Sequence, residues 1–130
     1  MSHSDAPQVV STDKAPAAVG PYSQAVIVEN LVFISGQLPL DPATGSFAPG
    51  EIEDRTQQCL QNVQAIAQAA GTSLERAVKL TVYLTDMDDF NRVNQAYAHY
   101  FPAAPPARVA IQVAALPKGA DIEIDAVVSL

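Results

Sequence analysis

The chain of 130 residues sets 14 acidic against seven basic side chains, a formal charge of −7, with 48% apolar and only 16% charged residues. One domain of that size buries enough surface to fold without staples, and its acidity disfavours partners that depend on neutralising phosphates, so nucleic acid and anionic membranes rank low. The lone Cys59 excludes an internal disulfide and suits a reducing cytoplasm. The opening MSHSDAPQVV has neither a basic nor an apolar signal region. No apolar run approaches the roughly 20 residues needed to span a bilayer.

In chain order, residues 1–14 read as a loosely ordered lead-in to a single domain over 1–130. Gln24-Ala-Val-Ile-Val and Leu31-Val-Phe-Ile-Ser flank the polar pair Glu29-Asn30, which predicts a hairpin. Residues 38–47, with two prolines, Asp41 and Gly45, read as loop or edge. Glu51 to Ala70 predicts a helix, because Ile52, Cys59, Leu60, Val63, Ile66, Ala67 and Ala70 form one stripe, acids open it and Gly71 stops it. Residues 73–76 allow one helical turn.

Val78, Leu80, Val82 and Leu84 alternate with polar residues, the pattern of a half-buried strand. A second helix starts at Asp86, Asp88 and Asp89, carries Phe90, Val93, Tyr97 and Phe101 as its stripe, and ends before Pro102. Two strands follow. Ala107 to Ala115 sets Val109, Ile111 and Val113 against Arg108, Ala110 and Gln112, and Asp121 to Ser129 sets Ile122, Ile124, Ala126 and Val128 against Glu123, Asp125 and Val127. This order predicts one α+β domain with two helices on one face of a sheet. The other face, carrying Thr81, Tyr83, Ala110 and Gln112, is too mild to stand in water, which predicts a homo-oligomer.

Several chemistries drop out by inventory. His3, His99 and one cysteine make no zinc spacing. Gly45 and Gly50 have Walker-like spacing, but Glu51-Ile52 follows where Lys-Ser/Thr is needed. A nucleophilic triad would have only His99 as its base. Arg108 stands on a strand otherwise free of charge, either as an exposed strand-end arginine or as a fork for a carboxylate. Glu123 and Asp125 share a strand face, as solvated acids or as a source of acid–base help.

If the last two strands formed a hairpin, Arg108 and Glu123 would lie about 15 Å apart. A joint site would then need another strand order or another subunit. Tyr22 follows a Gly-Pro turn and reads most simply as packing. Gly36, beside Ser35, would let a ligand reach the backbone. Asn94 is a boundary amide on the second helix, and Cys59 packs in the first helix's stripe.

Gly20-Pro-Tyr-Ser-Gln24, Ile34-Ser-Gly-Gln-Leu-Pro39, Asp89-Phe90…Val93-Asn94…Tyr97…Phe101 and Pro106-Ala-Arg-Val-Ala110…Leu116-Pro-Lys…Ile122-Glu-Ile-Asp125 together resemble the Rid (YjgF) family of reactive intermediate deaminases. The likeness runs in order from about Ala15 to Val128. It implies a chorismate-mutase-like fold with a mixed sheet, and a homotrimer whose sheets form a central barrel with ligand clefts between subunits. It also implies hydrolysis of enamines and imines such as 2-aminoacrylate to 2-oxo acids and ammonia, without a cofactor or metal. Arg108 matches the family's carboxylate clamp and Glu123 the residue that positions or activates water. Tyr22, Ser35, Gly36 and Asn94 match pocket positions.

Many members carry cysteine at the position of Ala110, so the backbone N–H that contacts the ligand is kept and thiol chemistry is lost. Asp125 replaces a frequent second glutamate. The competing readings are a 2-oxo-acid sensor using the same pocket, which would not need Glu123, and an RNA-directed role, which the acidity opposes.

Overall fold

The computed structural model describes residues 6–130; His3 and the first residues of the lead-in lie outside them. Six strands, β1 (Gln8–Val10), β2 (Ala25–Val28), β3 (Leu31–Gln37), β4 (Ala77–Leu84), β5 (Ala107–Gln112) and β6 (Ile122–Ser129), form one sheet in the order β1-β2-β3-β6-β4-β5. All neighbours are antiparallel except β4 and β5, so the sheet is mixed. Helices α1 (Ile52–Ala69) and α2 (Phe90–Ala98) supply the second layer.

The β2–β3 hairpin turns at Glu29, which takes φ 55°. Helix α1 begins where expected: the Asp54 carboxylate accepts the Glu51 N–H at 2.8 Å and Gly71 follows the helix at φ 92°. Its stripe of Cys59, Leu60, Val63, Ile66 and Ala67 is fully buried against Leu80, Val82, Leu84, Ile122, Ile124 and Val128. At the helix start, the Arg55 guanidinium forks onto Asp121, with Nη2–Oδ2 at 2.8 Å. Buried Asn62 donates to the carbonyls of Leu38 (3.1 Å) and Leu40 (2.9 Å), which fastens the loop after β3 to α1. Helix α2 is shorter than its stripe implies and is preceded by a 3₁₀ turn at Met87–Asp89.

Three expectations need correction, and the strand order left open by the sequence is settled. Residues 8–10, assigned to a loose lead-in, form edge strand β1, because their backbone finds the open side of β2. The last two strands are not neighbours: β6 inserts between β3 and β4, and β5 lies outside β4. The two faces of β5 are also exchanged relative to the expected ones. Leu80 pairs with Arg108, Val82 with Ala110 and Leu84 with Gln112, so those three share the helix side, while Val109 and Ile111 join Thr81 and Tyr83 on the open face. Val109 and Ile111 are each 40% exposed, as is Phe33 at 43%. The uncovered face is therefore more apolar than expected. Finally, a register shift between Ala77 and Lys79 takes Val78 out of the β4 core row and leaves it exposed.

Candidate active site

The residues singled out from the sequence fall into two groups. The first surrounds Arg108 on β5. Phe90, Asn94 and Tyr97 recur on one face of α2 at helical spacing, and all three meet the guanidinium. Arg108 Nη1 donates to Asn94 Oδ1 at 2.6 Å, and the guanidinium carbon lies 4.8 Å from the Tyr97 ring centre and 5.4 Å from that of Phe90. Two aromatic faces and one amide orient the fork without neutralising it. By contrast, Arg55 is spent on Asp121 and Arg92 on Glu51 and Glu53. Among the described residues, Arg108 meets no carboxylate, in a protein with twice as many acids as bases.

Ala110 belongs to the same neighbourhood. Val113 N–H donates to Leu84 O at 2.8 Å. Strand groups alternate in direction, so the N–H groups of Arg108 and Ala110 point to the outer edge of β5.

The second group encloses a cavity of about 450 Å³ whose lining includes Tyr22, Ser35, Gly36, Lys118 and Glu123. Gly20 at φ 130° turns the chain so that Tyr22 N–H reaches Gly20 O at 2.9 Å. The phenol oxygen of Tyr22, a half-exposed residue, then accepts the Val19 N–H at 3.3 Å. Buried Gln24 fixes this segment from below: its amide donates to Thr12 O (3.0 Å) and Pro16 O (2.8 Å), and its oxygen accepts Thr12 N–H at 2.7 Å. Ser35 Oγ donates to Ser23 O at 2.6 Å.

Ile34 pairs with Ala126 and Gln37 with Ile124, so Ser35 and Gly36 together oppose Asp125 in a bulge. Gly36 lines this cavity, and the side on which a larger residue would carry its β-carbon is occupied. A β-carbon there would meet the Glu123 side chain, 2.8 Å from Cδ and 3.2 Å from Cγ. Gly36 is the seat of the Glu123 carboxyl.

Burial, and secondarily the charge of Asp125, push the Glu123 pKa above the ordinary glutamate value. A raised pKa moves a carboxyl toward the range useful for proton exchange near neutrality. Across the strand pair Tyr83 opposes Glu123, and its hydroxyl donates to Asp125 Oδ2 at 2.9 Å.

The two groups do not meet within one chain. Arg108 aligns with Leu80 and Glu123 with Tyr83, two strands apart and three residues along, about 14 Å between backbones. Their side chains also leave opposite sheet faces. Cys59 is completely buried, and burial pushes its thiol pKa well up, as a packing role requires. Among the described residues no His/Cys/Asp/Glu group could hold a metal, and no helix is long and apolar enough to cross a membrane.

Sequence reasoning missed the aromatic seat of Arg108, because Phe90 and Tyr97 look like ordinary stripe residues. It missed the tether at Gln24, a buried glutamine at the edge of an apolar run. Lys118 also went unweighed, because Lys-Gly is not one of the dipeptides that mark a turn.

Comparison with known proteins gives a consistent result. A family model described as Endoribonuclease L-PSP matches residues 12–130. The RutC family protein y4sK of Sinorhizobium fredii is 55% identical over 121 residues, covering 93% of this chain and 96% of the relative. The 2-iminobutanoate/2-iminopropanoate deaminase of Bos taurus is 51% identical over 120 residues, covering 92% and 88%. The crystal structure of RidA from an Antarctic Psychrobacter superposes with a TM-score of 0.91 at 48% identity, covering 95% of this chain and 99% of that one.

Proposed function

The chain belongs to the endoribonuclease L-PSP family, which includes the Rid (YjgF) proteins, and on that premise we propose that it hydrolyses reactive 2-imino and enamine acids to 2-oxo acids and ammonia. The observation that carries this reading is the Arg108 guanidinium, held between Tyr97, Phe90 and Asn94 and free of any carboxylate among the described residues. It is a ready receptor for the carboxylate common to these substrates.

The reaction needs little machinery. An enamine such as 2-aminoacrylate tautomerises to its imine. Glu123 takes a proton from water as the oxygen adds to the imine carbon. Glu123 returns that proton to nitrogen, giving the carbinolamine; it then carries the hydroxyl proton to the amine as the carbon–nitrogen bond breaks and the carbonyl forms, so that ammonia and the 2-oxo acid leave. Acid–base help of this kind contributes about 10²–10⁴-fold, beside the gain from orienting the substrate. Tyr22, Ser35 and Gly36 line the Glu123 side, while Asn94 and the Ala110 N–H serve the Arg108 side.

A complete pocket on this reading lies between copies of the chain, in a homotrimer whose open sheet faces meet in a central barrel. The separation of Arg108 from Glu123 within one chain supports it, as do the exposed Phe33, Val109 and Ile111. One fully buried cysteine fits a reducing cytoplasm. The reaction as written needs no cofactor. Despite the family model's description, a net charge of −7 argues against RNA as the substrate.

The test is turnover of 2-aminoacrylate generated in place by a dehydratase. Arg108→Ala is expected to lower kcat/KM by at least 10²-fold, the scale of a lost charged clamp. Full activity in Arg108→Ala would sink the assignment. Saturable 2-oxobutyrate binding with no turnover would decide for the sensor.

A further inference from the structure

One local rule of backbone chemistry is broken at the rim of the Glu123 cavity. Lys118 stands at φ 59° and ψ 18°, and Gly119 follows at φ 73°. Ala120 N–H closes the turn on Pro117 O at 3.1 Å. Two successive left-handed residues at the centre of such a turn favour Asn-Gly or Gly-Gly, because a larger side chain crowds the backbone there.

Nothing in the packing accounts for a lysine at this position. It is exposed, and among the described residues its ammonium meets no carboxylate. What distinguishes the position is its place on the wall of the same cavity as Glu123, Tyr22 and Ser35. Backbone strain retained at a cavity without a packing return marks a side chain kept for its chemistry.

The chemistry available is a point positive charge at the entrance to an acidic protein. A 2-imino or enamine acid approaches as an anion, and a net charge of −7 repels it at long range. We propose that Lys118 is a capture residue, drawing the substrate carboxylate into the Glu123 cavity before Arg108 clamps it. The inference rests on the imine-acid reading for the identity of its ligand. Lys118 then acts on encounter and not on bond-breaking, so its effect belongs in kcat/KM, with kcat unchanged.

The experiment compares the intact protein with Lys118→Asn, which removes the charge and relaxes the turn, and with Lys118→Arg, which restores the charge. Turnover of 2-aminoacrylate, made by an excess of dehydratase, is followed at about 0.02 M and about 0.5 M salt, where screening lengths are about 20 Å and about 4 Å. Lys118→Asn is expected to lower kcat/KM about three- to tenfold at low salt, the scale of one unit charge several ångströms from the path. At high salt the difference should close. Lys118→Arg should recover the loss, and the melting temperature of Lys118→Asn should be no lower than that of the parent.

Equal kcat/KM and equal salt dependence in parent and Lys118→Asn would overturn the proposal, as would a loss confined to kcat. Calorimetric binding of 2-oxobutyrate at both salt concentrations separates the two levels of inference. Binding without turnover removes the deaminase reading and judges Lys118 on the dissociation constant. Absence of both removes the pair together.

Discussion

Replacing Gly36 by alanine tests the site through a single methyl group. The added β-carbon would stand 2.8 Å from Glu123 Cδ and 3.2 Å from Cγ, where ordinary contacts begin at 3.4 Å. Cδ must retreat by about 0.6 Å, and because the carboxyl oxygens lie further out on the same lever they move by about 1 Å. The backbone has no objection, since Gly36 is not among the left-handed glycines. Alanine therefore gains about 0.4–1 kcal/mol from the stiffer unfolded chain, against about 0.5–1.5 kcal/mol for forcing the glutamate off its preferred rotamer. These nearly cancel, so the melting temperature should stay within about 4 °C of the parent. Activity should not be spared. A general base displaced by about 1 Å loses on the order of 10²-fold in kcat. The flexibility of Glu123 that makes the substitution structurally cheap is what makes it functionally costly.

The assay is release of the 2-oxo acid from 2-aminoacrylate, run beside circular dichroism melting. Glu123→Gln and the double variant complete a cycle. If Gly36 acts only by seating Glu123, the double variant is no slower than Glu123→Gln. A Gly36→Ala protein with parental melting and activity within twofold of the parent would refute the working position assigned to Glu123.

Two further outcomes follow from the same geometry. The raised pKa of Glu123 means that the fold holds its proton more tightly than the unfolded chain does. Its stabilising contribution is present below the unfolded value, near pH 4.3, and is lost as pH rises through the native one. Glu123→Gln should therefore melt about 1–3 °C above the parent at pH 7.5, with the gap gone by about pH 4, and a destabilised glutamine variant at pH 7.5 would contradict the sign. Asn62→Ala strands the carbonyls of Leu38 and Leu40 and should cost about 2–3 kcal/mol, read as a lower urea midpoint at unchanged slope.

Much of this molecule is written locally. The stripe and caps of α1, the Glu29-Asn30 turn and the alternation of Leu80, Val82 and Leu84 are all short-range patterns, and each element appears where the pattern puts it. Strand β5 shows where local reading stops. Period two separates Val109 and Ile111 from Arg108 and Ala110 but cannot say which set meets the helices. The more apolar set faces away from them, because pairing with Leu80 and Val82 turns Arg108 and Ala110 toward α2. An apolar face destined for another surface looks the same in sequence as one destined for the core. Likewise, nothing near Glu123 announces that Gly36, far away in the chain, leaves room for it.

The central position of β6 has a consequence for how the molecule assembles. Leu31 pairs with Ser129 and Leu84 with Ile122, so the middle of the sheet is stitched by partners distant in the chain. Hairpin β2–β3 and the unit β4-α2-β5 can each form from neighbouring residues, but they cannot join until β6 slots between them. Until then β3 and β4 each present a bare hydrogen-bonding edge, which is the template for pairing with the wrong chain. Such long-range closure is slow relative to helix formation and leaves intermediates prone to association. A variant that merely weakens β6 is therefore expected to show itself first as lost soluble yield, before any deficit in the melting temperature of the protein that does fold.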